Sequence, residues 1–302
     1  MNPSATLPVG TQLREWRQRR RLSQLDLSVD AEVSTRHLSF VETGRSMPSR
    51  EMVLRLADRL EVPLRERNRL LTAAGFAPMF AERSLADPSS IAARAAVEQV
   101  LAAHEPFPAI AVDRHWNLVF HNAAAGALLQ MGIAPELLEP PINMLRVSLH
   151  PDGLAPRIVN LAQWRGHLLE RLRHQSQVSG DMALASLIDE LASYPAPLHD
   201  GAPAFTPSAA IVVPLVLDTP LGRLSLISTM TVFGTPVEVT LSELALETFF
   251  PADASTARAL RLAADTRAEA GGATSQPSPA AMSTPDASAA SRSKPSPVAS
   301  GS

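Results

Sequence analysis

The sequence predicts two folded parts in one chain: an all-α bundle of five short helices, then an α+β domain built on an antiparallel sheet with helices. Three observations point there. Residues 9–75 carry apolar residues at helical spacing in five successive runs joined by short loops. Residues 93–265 mix alternating apolar runs with amphipathic stretches, the pattern of an antiparallel sheet covered by helices. Residues 266–302 are Ser-, Ala- and Pro-rich with almost no large apolar side chain, so they cannot offset their own ordering entropy and read as a disordered tail. Residues 76–92, with the mixed composition of a connector, join the two parts.

The helices of the first part follow in order. Leu13, Trp16 and Arg17 set a helix over residues 11–20. Ser23 is placed to cap a second over 24–31, and Ser34 to cap a third, "TRHLSFVE", that stops at Gly44. A fourth follows Pro48 with Ser49 as its cap and runs to residue 60, with Met52, Leu56 and Leu60 on one face. A fifth spans 63–74 and ends at Gly75.

In the second part, "AIAV" (109–112) and residues 116–121 read as two strands joined by a tight turn, with a helix from Ala123 behind them. A long loop follows. Residues 158–175 fit a helix burying Leu161, Trp164, Leu168 and Leu172, and residues 181–193 fit another burying Leu184, Leu187, Ile188 and Leu191. Strands over 209–217, 223–233 and 237–241 complete a five-stranded sheet with helices on one face, their hairpin turns at "DTPLG" and "GTP". Pro214 cannot donate to a ladder and places its strand at an edge or a bulge.

Charge divides the chain in the same place. Residues 1–75 hold 13 Arg and no Lys against nine acids, a net +4, whereas the remainder carries 14 basic and 21 acidic residues, a net −7. A basic module on an acidic chain points to a polyanion as that module's partner, although a solvated arginine face would read the same way from charge alone. The absence of cysteine excludes disulfides, thiol catalysis and cysteine-based metal sites. The eight histidines show no metal-ligand spacing, and there is no phosphate loop and no Gly-x-Ser-x-Gly elbow, so no metal, cofactor or enzymatic activity is expected. No apolar run approaches the roughly 20 residues of a membrane span. With no secretory signal in "MNPSATLPVGTQ", a cytoplasmic protein without membrane contact is expected.

The third helix carries the chemistry. Leu38 and Val41 share one face, while Thr35, Arg36 and Ser39 share the other. Its first turn offers free backbone N–H groups and the positive end of the helix dipole, suited to phosphate or base edges. Its width fits the major groove, with the preceding helix laid across the backbone. Arg45, just past Gly44, is placed to reach a phosphate. Glu42 reads as an intradomain partner, since a carboxylate repels phosphate. Phe40 reads as a core or subunit-facing residue.

"LSQLDLSVDAEVSTRHLSFVETGRSMPS" resembles the helix-turn-helix of the Cro/C1-type (XRE) repressors, a lambda-repressor-like five-helix domain, over about residues 10–75. Ser23 and Gln24, Val33 and Ser34, Leu38 and Ser39, and Glu42, Gly44 and Arg45 carry the likeness; Asp30 and Glu32 depart from it by putting two acids in the turn. The resemblance implies base-edge contacts from Thr35, Arg36, His37 and Ser39, and phosphate contacts from Gln24, Ser34, Arg45 and Ser46. It also implies double-stranded DNA as partner and a homodimer on a palindromic operator.

"PAIAVDRHWNLVFHNAAAGALL", Asn143 with "MLRVSLHPDGL", Trp164 and "ELALETFFPAD" resemble the PAS-like ligand-binding domain of MmyB-like transcription regulators. This likeness covers about residues 95–262 and implies a domain that senses a small, hydrophobic effector. Val112, Trp116, Leu118, Phe120 and Trp164 are the candidate cavity residues, with Asn122 either orienting a ligand or capping the helix behind it. The expected protein is a dimeric, sequence-specific transcriptional regulator with an effector domain. A DNA-bound protein-interaction module, an antitoxin or scaffold, is the alternative left open at this point.

Overall fold

A computed structural model describes residues 7–85, 87–195, 212–233 and 238–273 of the chain. Five helices open it: α1 (Val9–Arg19), α2 (Gln24–Asp30), α3 (Thr35–Glu42), α4 (Arg50–Arg59) and α5 (Leu64–Ala73), each within two residues of its expected bounds. Three of them begin alike. The hydroxyls of Ser23, Ser34 and Ser49 accept the backbone N–H of Asp26, His37 and Met52, and Asp26 returns the bond to complete a capping box.

All five also end alike, on a residue in the left-handed region. These are Arg21, Glu32, Gly44, Glu61 and Gly75, with φ between 49° and 83°. In each case the next residue's N–H reaches back to the carbonyl five residues earlier, as Arg45 N does to Phe40 O at 2.8 Å, the pairing of a Schellman cap. Leu13, Leu27, Leu38, Val41, Leu56 and Leu71 fill the bundle's core, each no more than 1% exposed. Gly10 lies against the backbone of Val41, where a Cβ would collide with the Val41 carbonyl, so α1 and α3 cross at glycine distance.

The second part holds a five-stranded antiparallel sheet in the order β2-β1-β5-β4-β3, with β1 (Ala109–Val112), β2 (Leu118–His121), β3 (Leu215–Thr219), β4 (Gly222–Val232) and β5 (Ala245–Pro251). β3 is one of the two edge strands, with β2 the other, in keeping with Pro214 immediately before it. One face is covered by α7 (Ala123–Leu129), α8 (Met144–Leu149), α9 (Leu161–Ser179) and α10 (Met182–Ser193), around a core that includes Ile110, Val112, Trp164, Leu172 and Leu226. The other face is covered by α6 (Ile91–Ala103), whose Val97 and Leu101 meet Ala109, Ala111 and Leu246. Helices therefore cover both faces rather than one, and all four residues of β1 are buried.

The structure corrects several expected elements. Residues 239–242 form a short helix, α11 (Val239–Ser242), and the strand expected over 237–241 lies further on as β5. β5 was hidden because Glu247, a carboxylate 4% exposed, interrupts its apolar alternation. The second strand starts at Leu118, since Asp113 Oδ1 accepts the N–H of His115 and of Asn117 and turns Trp116 to φ 69°. α8, capped by Asn143, interrupts the expected long loop. The last helix, α12 (Ala254–Ala273), carries regular structure to residue 273, past the expected start of the tail at 266. The rest of that tail, the "GTP" turn and the start of the strand expected at 209 lie outside the described residues. Among the described residues, no helix is long and apolar enough to cross a membrane.

The chain up to Asp265 forms one compact unit, so the five-helix bundle and the sheet domain touch. Arg65 of α5 makes a bidentate pair with Glu243, at 2.8 and 2.9 Å, and a third bond to Glu82 at 2.7 Å. Arg20, just past α1, reaches the Val178 carbonyl of α9 at 3.5 Å.

Candidate functional site

The helix-turn-helix is held together from inside by one buried ion pair. Arg17 of α1 donates Nε and Nη2 to the two carboxylate oxygens of Glu42 at 2.7 and 2.9 Å, and Gln24 of α2 donates Nε2 to Glu42 at 2.8 Å. Three helices thus converge on one carboxylate whose side chain is 1% exposed. Burial pushes the Glu42 carboxyl up, but Arg17, Gln24 and the nearby charges of Arg17 and Arg14 together hold it below the ordinary glutamate value. Glu42 is the intradomain partner the sequence indicated.

The same contacts sort the expected DNA contacts. Gln24 gives one amide N–H to Glu42, which leaves its second N–H for a phosphate. Thr35 shares a hydroxyl hydrogen bond of 2.8 Å with Ser28 of α2, so its reach toward a base is fixed by that tie. Ser34 is occupied as the α3 cap. Arg36 and Arg45 are exposed, His37, Ser39 and Ser46 partly so, and all lie on or just beyond α3. Arg36 and Arg45 both lie against the ring of Phe40, which is half-buried rather than core.

The sheet domain contains an apolar cavity of about 70 Å³ between β1, β3, β4, β5 and the helices over them. Trp116, Trp164, Ile110, Leu145, Leu168 and Leu226 are among its walls. A second space of about 380 Å³ lies between the two parts and is lined by Pro63, Arg65 and Glu66 of the bundle and by Val112, Arg114, Trp116, Arg171, Asp181 and Glu243 of the sheet domain. Trp116 is a wall of both.

Two of the expected cavity residues, Trp116 and Trp164, line the inner cavity, and Val112 lines the crevice between the parts. The others do not. A bulge between the pairs Ala111↔Phe120 and Val112↔Leu118 sends Leu118 and Phe120 to opposite sides of the sheet. Leu118 packs on the inner core without lining the cavity, and Phe120 packs beneath α6 with Arg94 over its ring. Asn122 is a structural cap: its oxygen accepts from Ala109 and Ala125, and its amide donates to Leu101 and Phe107. Its capacity is spent on the fold.

Sequence reasoning missed the polar partition between the two spaces. Arg171 of α9 lies 4.4 Å over the Trp116 ring and donates Nη1 to Glu247 of β5 at 3.0 Å. The Trp116 indole N–H is held by Gln175 at 2.8 Å, and Gln175 in turn holds the Arg114 carbonyl at 2.8 Å. Arg114 lies 3.6 Å from Glu243, the residue that grips Arg65 of the bundle. The signal was present: Arg171 and Gln175 continue the buried stripe of Trp164 and Leu168, and Glu247 interrupts an apolar strand. A cation on one apolar face and an anion on another, each out of place alone, explain one another as a pair.

Among known families, residues 93–263 match the model of the MmyB-like transcription regulator ligand binding domain, and residues 8–70 match a helix-turn-helix domain. No curated protein matches the chain.

Proposed function

Because the chain belongs to the MmyB-like transcription regulators, a helix-turn-helix DNA-binding module joined to a ligand-binding domain, we propose that it is a cytoplasmic repressor or activator whose operator affinity is set by a small hydrophobic molecule in the inner cavity. It acts as a binding protein rather than an enzyme, as a homodimer on two half-sites. One observation carries the effector linkage: Trp116 is a wall of the inner cavity and of the crevice between the parts. A displaced Trp116 ring would pull on Gln175 and Arg114, and through them on Glu243 and its pair with Arg65. An effector that favours one arrangement of that path shifts the population of DNA-competent dimers by its difference in affinity for the two arrangements.

The dimer reading is supported by the exposed α3, since symmetric half-sites are how such a helix reaches two successive major grooves. The test is a footprint of the purified chain on the DNA upstream of its own gene at several salt concentrations, followed by organic extraction of the protein and mass spectrometry of what it releases. Two protected half-sites about one helical turn apart, weakening steeply with salt, are expected. A returned extract should change the operator affinity of protein stripped of it. Uniform binding with no discrete site overturns the operator reading, and an extract without effect overturns the effector reading.

A further inference from the structure

Phe40 has a place that packing alone does not explain. A phenylalanine on a short helix packed on a bundle would normally turn into the core, yet this ring is half-buried at the surface with two arginines against it. Arg36, one turn earlier, places its guanidinium carbon 5.4 Å from the ring centroid, and Arg45, beyond the end of the helix, places its own at 6.0 Å. Both distances fall within reach of a cation–π contact. The backbone of the same residue holds the second arginine as well, since the Phe40 carbonyl accepts the N–H of Arg45 at 2.8 Å and of Ser46 at 3.1 Å.

The bundle's arginines are held in two ways, on a carboxylate or over a ring, the latter by Arg19 and Arg20 over Trp16 and by Arg36 and Arg45 over Phe40. Arg17, Arg65, Arg67 and Arg69 each sit on a carboxylate. Among the described residues, no ion pair is formed by Arg36 or Arg45, so their charges are uncompensated and face outward. A long cation without a partner samples many rotamers and must surrender them when it binds. A ring beside it selects among those rotamers in advance while leaving every N–H free to donate, which a carboxylate would not.

We infer that Phe40 is a positioning residue for DNA recognition: its ring and carbonyl present Arg36 and Arg45 as one pre-arranged pair, so that the base-reading and the phosphate-gripping arginine dock together. The inference rests on the reading that α3 enters the major groove. An exposed cation–π contact of this kind is worth about two- to fivefold in an equilibrium for each arginine, so the pair together should be worth roughly five- to twentyfold.

The test uses the full chain carrying Phe40→Leu, which keeps apolar bulk and removes the ring face, and Phe40→Tyr, which keeps the ring. Each is titrated against the footprinted operator and against a random duplex, with thermal melting recorded in parallel. Phe40→Leu is expected to bind the operator roughly five- to twentyfold more weakly, with a reduced ratio of operator to random-duplex affinity, while Phe40→Tyr stays within about twofold of the native chain. Placed on an Arg36→Ala/Arg45→Ala background, Phe40→Leu should add no further loss, because the residue acts through those two side chains. This cycle also serves if Phe40→Leu melts earlier, since a packing defect would persist on that background. Native operator binding by Phe40→Leu, an equal loss in Phe40→Tyr, or an additive loss on the arginine-free background would each overturn the inference and leave Phe40 a packing residue. A native chain with no discrete footprint would instead overturn the recognition reading, and this inference with it.

Discussion

Replacing Arg17 by Met should do more damage than any surface change in the DNA-binding module, and should reverse the module's response to acid. The native pair puts a carboxylate that is 1% exposed against a guanidinium that is 10% exposed. Met keeps the stem's apolar volume but leaves Glu42 buried with Gln24 as its remaining donor side chain, and removes the bond from Arg17 to the Leu22 carbonyl. Stripping one partner from a buried pair costs about 3–5 kcal/mol, which is a large part of the roughly 5–15 kcal/mol that holds a domain folded. In the native chain Glu42 titrates below its unfolded value, so its stabilisation is complete above the unfolded carboxylate range and is lost as pH falls through the folded value. In the Met variant burial, the largest single influence on Glu42, is opposed only by the Gln24 hydrogen bond and the charge of Arg14, and the carboxyl should rise above its unfolded value. The penalty is then relieved by protonation, and the variant should recover stability as pH falls from 7 toward 5 while the native chain does not. Amide hydrogen exchange over α1–α3 measures this locally, without assuming that two domains unfold in one step. A loss under about 1 kcal/mol, far below the range for a buried pair, or a variant whose stability falls with pH in parallel with the native chain, would refute the argument. Met at 17 combined with Leu at 42 should restore most or all of the loss, since an apolar replacement of both partners is often neutral or better.

Three further outcomes are expected. Gly10→Ala should force α1 away from the Val41 carbonyl and reduce both thermal stability and operator affinity; an unchanged melting temperature would show that the crossing yields freely. Glu32→Gly should raise module stability by about 0.5–1 kcal/mol in a melting experiment, because a left-handed backbone strains every residue with a Cβ; a destabilised variant would contradict this. Arg65→Ala and Glu243→Ala should each loosen the contact between the parts, read as faster exchange over α11, and the double variant should lose little more than either alone; strictly additive losses would show that the pair does not join them.

The bundle was legible because its signals are local. Ser23, Ser34 and Ser49 mark helix starts within one turn, and Gly44 and Gly75 mark two of the ends. Arg21, Glu32 and Glu61 mark the other three without the glycine that usually signals a left-handed turn. The sheet was legible only where alternation was unbroken. Glu247 concealed β5, since its partner Arg171 is far away in sequence. The alanine-rich α6 buries little beyond Val97 and Leu101 and so lacks a clear apolar stripe. The cavity failed at Phe120 for a different reason: a single bulge inverts the facing of every residue beyond it, and no period-two pattern records a bulge.

Strand pairing also sets an order of assembly. The five-helix module is closed by caps and contacts among its own residues, whereas the central strand β1 must wait for β5, with Ala109 beside Thr248 and Val112 beside Ala245. Local contacts form fast and distant pairings form slowly. During synthesis from the N-terminus the DNA-binding module is complete while β1 still has one open edge. The sheet domain's core closes only after residue 251 has emerged, so a new copy of the chain completes its helix-turn-helix module before the cavity beside Trp116 and Trp164 exists.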